Sequence, residues 1–437
     1  MNPASGSPWR VRDFRTLFAA SALSHLGTNV GHVVVPLLAV TVLDAGPGQA
    51  GALAALSTAA FLLIGLPAGA WVDRLPARRV LVAADAARAV LLASVPVAWW
   101  LDALSLPQLY AVVLLNGCAT VFFDVGSQSV LPDLVGRERL VPANTAVVSL
   151  MAGANIAGRG AGGFLVQLLT APLAVAGGAV AYLASAAGLT GVGRGQPSPE
   201  PKGDRRRLPA AEVGEGLRHV FGSRELRALA LTAALGNLGA QLVNAMLPVL
   251  FTRELGLSAG ALGLYWAVGG VGLLLGAASA RRLAARLGHG RALARAGLWC
   301  APATLAVALI GQGPWLWVAG AGWLTATVKT GIDNVLGVTL RQQLTPDPLL
   351  GRMNATFRFL LTGALAVGSV LAGVIGELAG VRVAVWAGAV CMACAFLPVF
   401  RSPLRTLRQL PEAPAPPRPA ALTASAAPPR PCRRRRC

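Results

Sequence analysis

About twelve long apolar stretches divide this chain, and short basic clusters separate them. Each stretch is long enough to cross the hydrocarbon core of a bilayer, roughly 30 Å thick, as an α-helix. Charged residues make up 13% of the chain, against about a quarter in a typical soluble protein. We therefore expect an all-α membrane protein. The predicted helices cover residues 15–42, 49–72, 80–101, 106–131, 145–168, 171–193, 227–251, 258–280, 291–311, 314–340, 356–379 and 382–400.

The net charge of +20 could indicate nucleic-acid binding, but its distribution indicates a membrane instead. Arginines cluster in every second connection between predicted helices, while the alternate connections are short and carry little charge. This positive-inside pattern predicts that both termini are cytoplasmic. Arginine replaces lysine almost completely, as is typical of bacteria with GC-rich genomes. The expected location is therefore the bacterial plasma (inner) membrane, which the chain crosses many times.

One stretch of the first predicted helix recurs in the seventh. Residues 24–37 read SHLGTNVGHVVVPL, and residues 236–249 read GNLGAQLVNAMLPV. In both copies, polar residues at i, i+4 and i+7 lie on one face of an apolar helix. Three further matches follow in the same order at offsets of 209 (259 − 50), 207 (276 − 69) and 214 (346 − 132). The aligned polar residues, at an offset of 212 (237 − 25), are His25, Asn29 and His32 with Asn237, Gln241 and Asn244.

This duplication predicts two pseudo-symmetric six-helix bundles around a central site, the arrangement of many transporters. The expected organisation is a cytoplasmic N-terminus (1–13), an N-terminal bundle (14–194), a cytoplasmic linker (195–226), a C-terminal bundle (227–401) and a disordered tail rich in Pro and Arg (402–437). Within the linker, residues 211–221 fit a short amphipathic helix at the membrane surface. The tail can be attracted to anionic lipid.

A charged motif ends the second predicted helix: GAWVDRLPARR, residues 69–79. Glycine allows close helix approach, and a carboxylate among arginines can form a reversible charge network. The alternative is ordinary positive-inside charge. We predict a cytoplasmic gate that also includes an arginine of the third helix; its residues are Gly69, Asp73, Arg74, Arg78, Arg79 and Arg88.

The same motif resembles the Gly-xxx-Asp-Arg-x-[Gly/Pro]-Arg-Arg signature of the major facilitator superfamily. Pro76 fits the turn position, whereas Ala77 replaces the first arginine of the pair. ADAAR at 84–88, FFD at 122–124 and LPDLV at 131–135 resemble the drug:proton antiporter subgroup that includes macrolide-efflux and siderophore-exporter proteins. The resemblance covers roughly residues 10–400 and implies the major facilitator fold and a transport function.

The fifth predicted helix departs from that subgroup, because Arg159 stands where a Gly-Pro-xx-Gly-Gly kink normally carries proline. An arginine inside a membrane is costly unless it faces water or a partner. It either lines the cavity and attracts an anionic group, or forms a structural ion pair within the N-terminal half. The residues predicted to line the substrate cavity are His25, Asn29, His32, Arg159, Asn237, Gln241 and Asn244.

Proton coupling needs an acid that can lose and regain its proton, and the first predicted helix has none. Lys329 and Asp333 lie i,i+4 on one face of the tenth. Lysine can lose its charge in an apolar site more readily than arginine. We predict that proton or substrate binding breaks this pair; the alternative is a static pair that neutralises two buried charges. Asp124 and Asp85 are the reserve candidates, although structural packing also explains them.

The sequence thus predicts a secondary transporter, by expectation a proton-coupled exporter of a small, partly hydrophobic drug or natural product. Uptake of a nutrient or of a lipid-like solute on the same fold is the nearest alternative. A membrane-embedded enzyme or sensor is the alternative from another class, but no catalytic constellation and no metal or cofactor motif is recognisable. The expected partners are a small-molecule substrate, protons and membrane lipids, with no nucleic acid, and the expected state is a monomer.

Overall fold

The structure is a computed structural model that describes residues 7–72, 75–191 and 210–407. Two residues of the predicted gate, Asp73 and Arg74, lie outside the described residues, as does most of the predicted tail, from 408 onwards. Within the described ranges every regular element is helical, which confirms the prediction of an all-α protein.

Six long helices form the first half of the chain and six form the second half, after a short helix that connects them. The first half comprises α1 (Arg12–Thr41), α2 (Pro47–Val72), α3 (Ala77–Trp100), α4 (Leu106–Val135), α5 (Leu140–Leu169) and α6 (Ala171–Leu189). The connecting helix and second half comprise α7 (Ala210–Gly222), α8 (Arg224–Val249), α9 (Ala259–Leu287), α10 (His289–Leu305), α11 (Pro314–Gln343), α12 (Leu350–Leu378), α13 (Val381–Cys394) and the single turn α14 (Leu397–Phe400).

Eleven helices of the described ranges are long and apolar enough to span a membrane. The helix α11 has 30 residues but is less apolar than these eleven, and it carries the predicted pair Lys329 and Asp333. It nevertheless packs between α9 and α10 as part of the same bundle. A helix of intermediate hydropathy is stable there because neighbouring helices, rather than lipid, cover much of its surface.

Each half packs as its own bundle. In the first, α1 packs on α5 and α6, and α3 packs on α4 and α6; in the second, α8 packs on α12 and α13, and α9 packs on α11. The bundles meet along two helix pairs, α2 with α12 and α5 with α9. In the repeat, α2 corresponds to α9 and α5 to α12, so each pair is the counterpart of the other. The duplication seen in the sequence is therefore also present in the contact between the bundles.

Both contacts between the bundles depend on glycine. A Cβ atom at Gly51 of α2 would lie 2.4 Å from the Gly373 Cα of α12, and one at Gly163 of α5 would lie 2.8 Å from the Gly263 Cα of α9. Without side chains the helix backbones touch directly. These contacts lie toward the end of the molecule where α1 finishes and α2 begins, which we call the α1–α2 end.

The connecting helix α7 occupies the segment for which the sequence predicts a short amphipathic helix. It rests on the first turns of α12, where Arg352 forms an ion pair with Glu215. A Cβ atom at Gly216 would lie 2.7 Å from the Thr356 Oγ1, so the two helices are in close contact. The linker therefore packs against the second bundle through α7.

Glycine packing within the second bundle gives a test of the fold. A Cβ atom at Gly331 of α11 would lie 2.2 Å from the Leu273 carbonyl oxygen of α9, whereas nothing lies within 4 Å of the Cβ position of Gly320 on the same helix. We expect Gly331→Ala to cost about 1–3 kcal/mol through overpacking and to lower the thermal unfolding temperature in detergent. The control, Gly320→Ala, should be neutral or slightly stabilising. Equal unfolding temperatures for the two variants would contradict this packing.

Candidate functional site

A cavity of about 520 Å³ lies between the two bundles. All six helices of the first bundle contribute to its lining, as do α8, α9 and α12 of the second bundle. Its wall is largely apolar, with Phe61 and Leu53 from α2 and Pro36 from α1, and a few polar groups interrupt it. Such a cavity suits a small molecule with an apolar body and a few polar groups.

Five of the seven residues predicted for the cavity line it in the structure. The predicted polar stripe of α8 does so completely, and α5 and α1 contribute one residue each. These five are His32, Arg159, Asn237, Gln241 and Asn244.

The other two predicted cavity residues, His25 and Asn29, are not on the wall of this cavity. The amide of Asn155 on α5 donates a hydrogen bond to the Asn29 Oδ1 (3.1 Å), and the Cβ position of Gly158 lies 2.6 Å from the Asn29 Cβ. Helix α5 thus covers Asn29. The His25 ring packs edge-on against Phe123, with ring centroids 6.1 Å apart. Sequence periodicity identified one helix face but could not show that a neighbouring helix covers part of it.

Neighbouring side chains orient the polar groups of α8. The Gln241 Nε2 donates to the Ser369 Oγ (2.9 Å), and the Trp266 Nε1 donates to the Asn244 Oδ1 (2.8 Å). Trp266 also lines the cavity, which the sequence analysis missed. The Asn244 Nδ2 also donates to the Ala240 carbonyl oxygen (2.8 Å). The Gln241 Oε1 has no hydrogen-bond partner among the described residues, so it can accept a hydrogen bond from a ligand.

Asp85 and Arg88 form an ion pair inside the first bundle, with side chains 0% and 1% exposed. The hydroxyl of Ser185 donates to the Asp85 Oδ2 (2.5 Å), and the Arg88 guanidinium lies over the rings of Tyr182 (4.3 Å) and Phe123 (4.6 Å). All of these groups belong to the first bundle. The structure therefore places Arg88 inside the first bundle, away from the contact between the bundles.

Asp124 of α4 lines the central cavity. The positive charges of Arg88 and of Arg358 on α12 are near enough to act on its carboxylate. The Arg358 guanidinium lies 4.2 Å from the centroid of the Phe61 ring on α2, so it reaches across to the first bundle. The offset from Asp124 to Asp333 is 209 (333 − 124), within the range of the repeat offsets. The two acids therefore hold equivalent places in the two bundles.

Lys329 and Asp333 form the ion pair that the sequence predicts. The pair borders two smaller cavities inside the second bundle, of about 110 and 30 Å³. The two cavities share part of their lining, and we call them together the side pocket. The second carboxylate oxygen of Asp333 is enclosed and has no hydrogen-bond partner. Asn237 and Ala240 line both the side pocket and the central cavity, so the two spaces adjoin.

Of the predicted gate, Gly69 lies near the end of α2, and Arg78 and Arg79 lie in the first turn of α3. These positions are at the opposite end of the bundles from the α1–α2 end. The gate itself stays a prediction. Among the described residues, no three His, Cys, Asp or Glu side chains are grouped so as to hold a metal ion.

The sequence analysis missed a set of polar contacts between the bundles at the α1–α2 end. The Arg253 guanidinium, just after α8, donates to the Asp44 carboxylate (2.5 Å), and the backbone N–H of Gly48 at the start of α2 donates to the Glu377 carboxylate on α12 (3.0 Å). Asp44 and Arg253 differ by 209 (253 − 44), so opposite charges occupy equivalent positions of the repeat. These opposite charges at equivalent repeat positions are the sequence signal from which the ion pair could have been predicted.

A family model described as "Transmembrane secretion effector" matches residues 4–429. This chain belongs to that family, within the major facilitator superfamily. It is 26% identical over 381 residues to the enterobactin exporter EntS of Escherichia coli O127:H6 (strain E2348/69 / EPEC), covering 84% of this chain and 85% of the relative. The corresponding exporter of Shigella dysenteriae serotype 1 (strain Sd197) is 26% identical over 385 residues, with the same coverage.

Solved transporter structures share the fold. The nucleoside transporter NupG superposes with a TM-score of 0.71 at 13% identity, over 89% of this chain and 99% of that structure. A bacterial homologue of the iron transporter ferroportin, in an inward-facing state, gives 0.70 at 18% identity, over 89% and 98%. The predictions of the superfamily, of the fold and of a transporter rather than an enzyme are confirmed.

The α1–α2 end can be tested by cross-linking. The Cβ position of Gly48 lies 3.8 Å from the Glu377 Cβ, which is the average separation across a disulfide. In a chain without its native cysteines, we expect Gly48→Cys with Glu377→Cys to form a disulfide under mild oxidation. A protease site inserted between α6 and α7 would reveal it, because the cleaved halves stay joined on a non-reducing gel. The single-cysteine variants are the controls, and separation of the halves in the double variant would contradict this contact.

The buried pair of the first bundle gives a second test. Asp85→Ala leaves the Arg88 charge enclosed without its partner, and we expect a loss of about 3–5 kcal/mol in stability, measured as a lower unfolding temperature. The double variant Asp85→Ala with Arg88→Leu removes both charges and should recover most of that loss. If Asp85→Ala unfolds at the wild-type temperature but abolishes transport, the pair serves coupling rather than packing.

Proposed function

We propose that this protein exports a small, partly hydrophobic organic molecule from the cytoplasm by alternating access, driven by proton entry. The observation that carries the proposal is the central cavity of about 520 Å³, which both bundles line. Family membership supports transport, and the relatives described as enterobactin exporters support the outward direction. The mixture of apolar wall and few polar groups favours a drug or natural product over a highly polar nutrient.

Alternating access needs two sets of contacts that form in turn. The ion pair between Asp44 and Arg253, with the glycine contacts beside it, closes the α1–α2 end of the cavity. The motif from Gly69 to Arg79 lies at the opposite end, where it would close the cavity after the α1–α2 end has opened. By the positive-inside pattern the motif end is cytoplasmic. The cavity of this structure would then receive substrate from the cytoplasm.

Coupling to protons is assigned to Asp333 and Lys329. The pair is internally neutral, which lowers the cost of two charges at membrane depth. The enclosed carboxylate oxygen of Asp333 borders the side pocket, and the side pocket adjoins the central cavity at Asn237. A proton that reaches Asp333 would release Lys329, and loss of that proton would restore the pair. Asp124, at the equivalent place in the first bundle, remains the reserve candidate.

Direction and coupling can be measured together in everted membrane vesicles. Respiration acidifies the vesicle interior and quenches the dye ACMA, and an exporter that exchanges protons for its substrate releases part of that quenching when substrate is added. We expect at least one compound in a panel of macrolides, tetracyclines, catecholate siderophores and cationic dyes to release it. Expressing cells should resist the antibacterial members of the panel. No release and no resistance for any compound would contradict proton-driven export.

The role of Asp333 is tested in the same vesicles. Asp333→Asn removes the titrating group, so we expect compound-dependent dequenching to fall to the level of vesicles without the protein, while the amount of protein in the membrane stays unchanged. The matched control is Asp102→Asn, an identical change at an exposed position between α3 and α4, which should behave as wild type. Dequenching at the wild-type rate and stoichiometry in Asp333→Asn would exclude it as the coupling acid.

A further inference from the structure

The cationic side chain of Arg159 lies on the wall of the central cavity. Five ion pairs are defined elsewhere among the described residues: Arg88 with Asp85, Arg253 with Asp44, Lys329 with Asp333, Arg352 with Glu215, and Arg382 with Glu254. Arg159 has neither an ion pair nor a hydrogen bond within the described part of the chain, and its Nε is enclosed without a partner.

The one acid on the cavity wall, among described residues, does not serve as its partner. Asp124 and Arg159 are not joined by an ion pair among the described residues. None of the ion pairs among the described residues includes Arg159. The structural ion pair that the sequence left open for Arg159 is therefore not formed here.

The backbone around Arg159 is held firmly. On one side, a Cβ atom at Gly158 would lie 2.6 Å from the Asn29 Cβ of α1; on the other, a Cβ atom at Gly263 of α9 would lie 2.9 Å from the Arg159 carbonyl oxygen. Arg159 thus lies where the two bundles meet, and its backbone packs between α1 and α9. Its guanidinium is placed at the cavity by this packing, since no hydrogen bond holds it there.

A guanidinium stays charged under all conditions that a protein tolerates. At membrane depth an uncompensated charge is costly, and such residues mark the path of a substrate or ion. Planar guanidinium groups pair with carboxylates, phosphates and other oxyanions through two parallel hydrogen bonds. An anion that enters the cavity would compensate the charge that the chain itself leaves uncompensated.

We infer that the exported molecule carries an anionic group and that Arg159 binds it. Gln241, Asn244 and Trp266 lie on the part of the wall that the second bundle contributes and would contact the uncharged part of the same molecule. This inference deepens the proposed function and rests on it for the outward direction of transport. The anion site itself can be tested without any transport measurement.

The test measures the electrostatic potential of the cavity. In a chain without its native cysteines, Ser57→Cys places a thiol on the cavity wall with little change of volume. Its reaction rates with two methanethiosulfonate reagents of similar size, the anionic ethylsulfonate and the cationic ethyltrimethylammonium, give a ratio that reports the local charge. We expect Arg159→Gln to lower the anion-to-cation ratio by about tenfold, because losing one positive charge slows one reagent and speeds the other.

Two controls separate charge from structure. Arg159→Lys keeps the charge and should leave the ratio within about twofold of the starting chain. Arg295→Gln removes the same charge from an exposed position on α10 and should leave the ratio unchanged. A ratio that does not change in Arg159→Gln would overturn the inference, even if export is demonstrated.

A second experiment asks whether the cavity prefers an anionic ligand to an uncharged one, by measuring how well each protects the same thiol from labelling. 2-Naphthoate should slow labelling at Ser57→Cys by the ethylsulfonate reagent, and methyl 2-naphthoate, which has the same ring but no charge, should not. Arg159→Gln should abolish the protection. Protection by both compounds, or by neither, would overturn the inference. Because neither measurement needs turnover, an anion site that is confirmed in a chain without export would contradict only the proposed function.

Discussion

The central cavity depends on the direct backbone contact between the two bundles at the α1–α2 end. Because glycine has no side chain, the backbone of α2 contacts that of α12, and the backbone of α5 contacts that of α9. Small residues of this kind are how helices associate in lipid, where burial of apolar surface gives little driving force. Since the contact is concentrated at one end, the bundles enclose a space deeper in the molecule. Polar contacts such as Asp44 with Arg253 are added around this glycine contact, and the Asp44 side chain is so exposed (96%) that the pair contributes little stability by itself.

Three sets of charges at membrane depth differ in their surroundings. Asp85 and Arg88 are fully enclosed in the first bundle, and hydroxyl groups and aromatic rings surround them; removing one partner is costly there. Lys329 and Asp333 also pair, but they border the side pocket, and one carboxylate oxygen of Asp333 has no hydrogen-bond partner. Arg159 has no counter-charge in the described structure. A fully enclosed pair suits packing, a pair beside a pocket suits switching, and an unpaired cation suits the binding of an anion.

Much of the fold could be predicted from the sequence. Hydropathy and the alternation of basic connections predicted the membrane-spanning helices, because every backbone polar group in lipid must be satisfied within its own helix. The repeat between residues 24–37 and 236–249 predicted two bundles and identified the polar face of α8. Local spacing predicted the pair of Lys329 and Asp333, since i,i+4 neighbours meet on any regular helix. Each of these predictions depends on periodicity or on short-range geometry, which the sequence by itself determines.

The tertiary structure decided which polar residues reach the cavity and which charges meet. Helix periodicity put Asn29 on the same face as His32, but α5 packs over Asn29 and removes it from the cavity wall. The sequence analysis assigned Arg88 to the gate, but contacts from α1, α4 and α6 enclose it within the first bundle. The contact of Gly48 with Glu377 joins residues 329 apart (377 − 48). Whether Arg159 is paired or free depends on the helices packed around it, because a side chain's neighbours at long range follow from how bundles dock and not from local spacing.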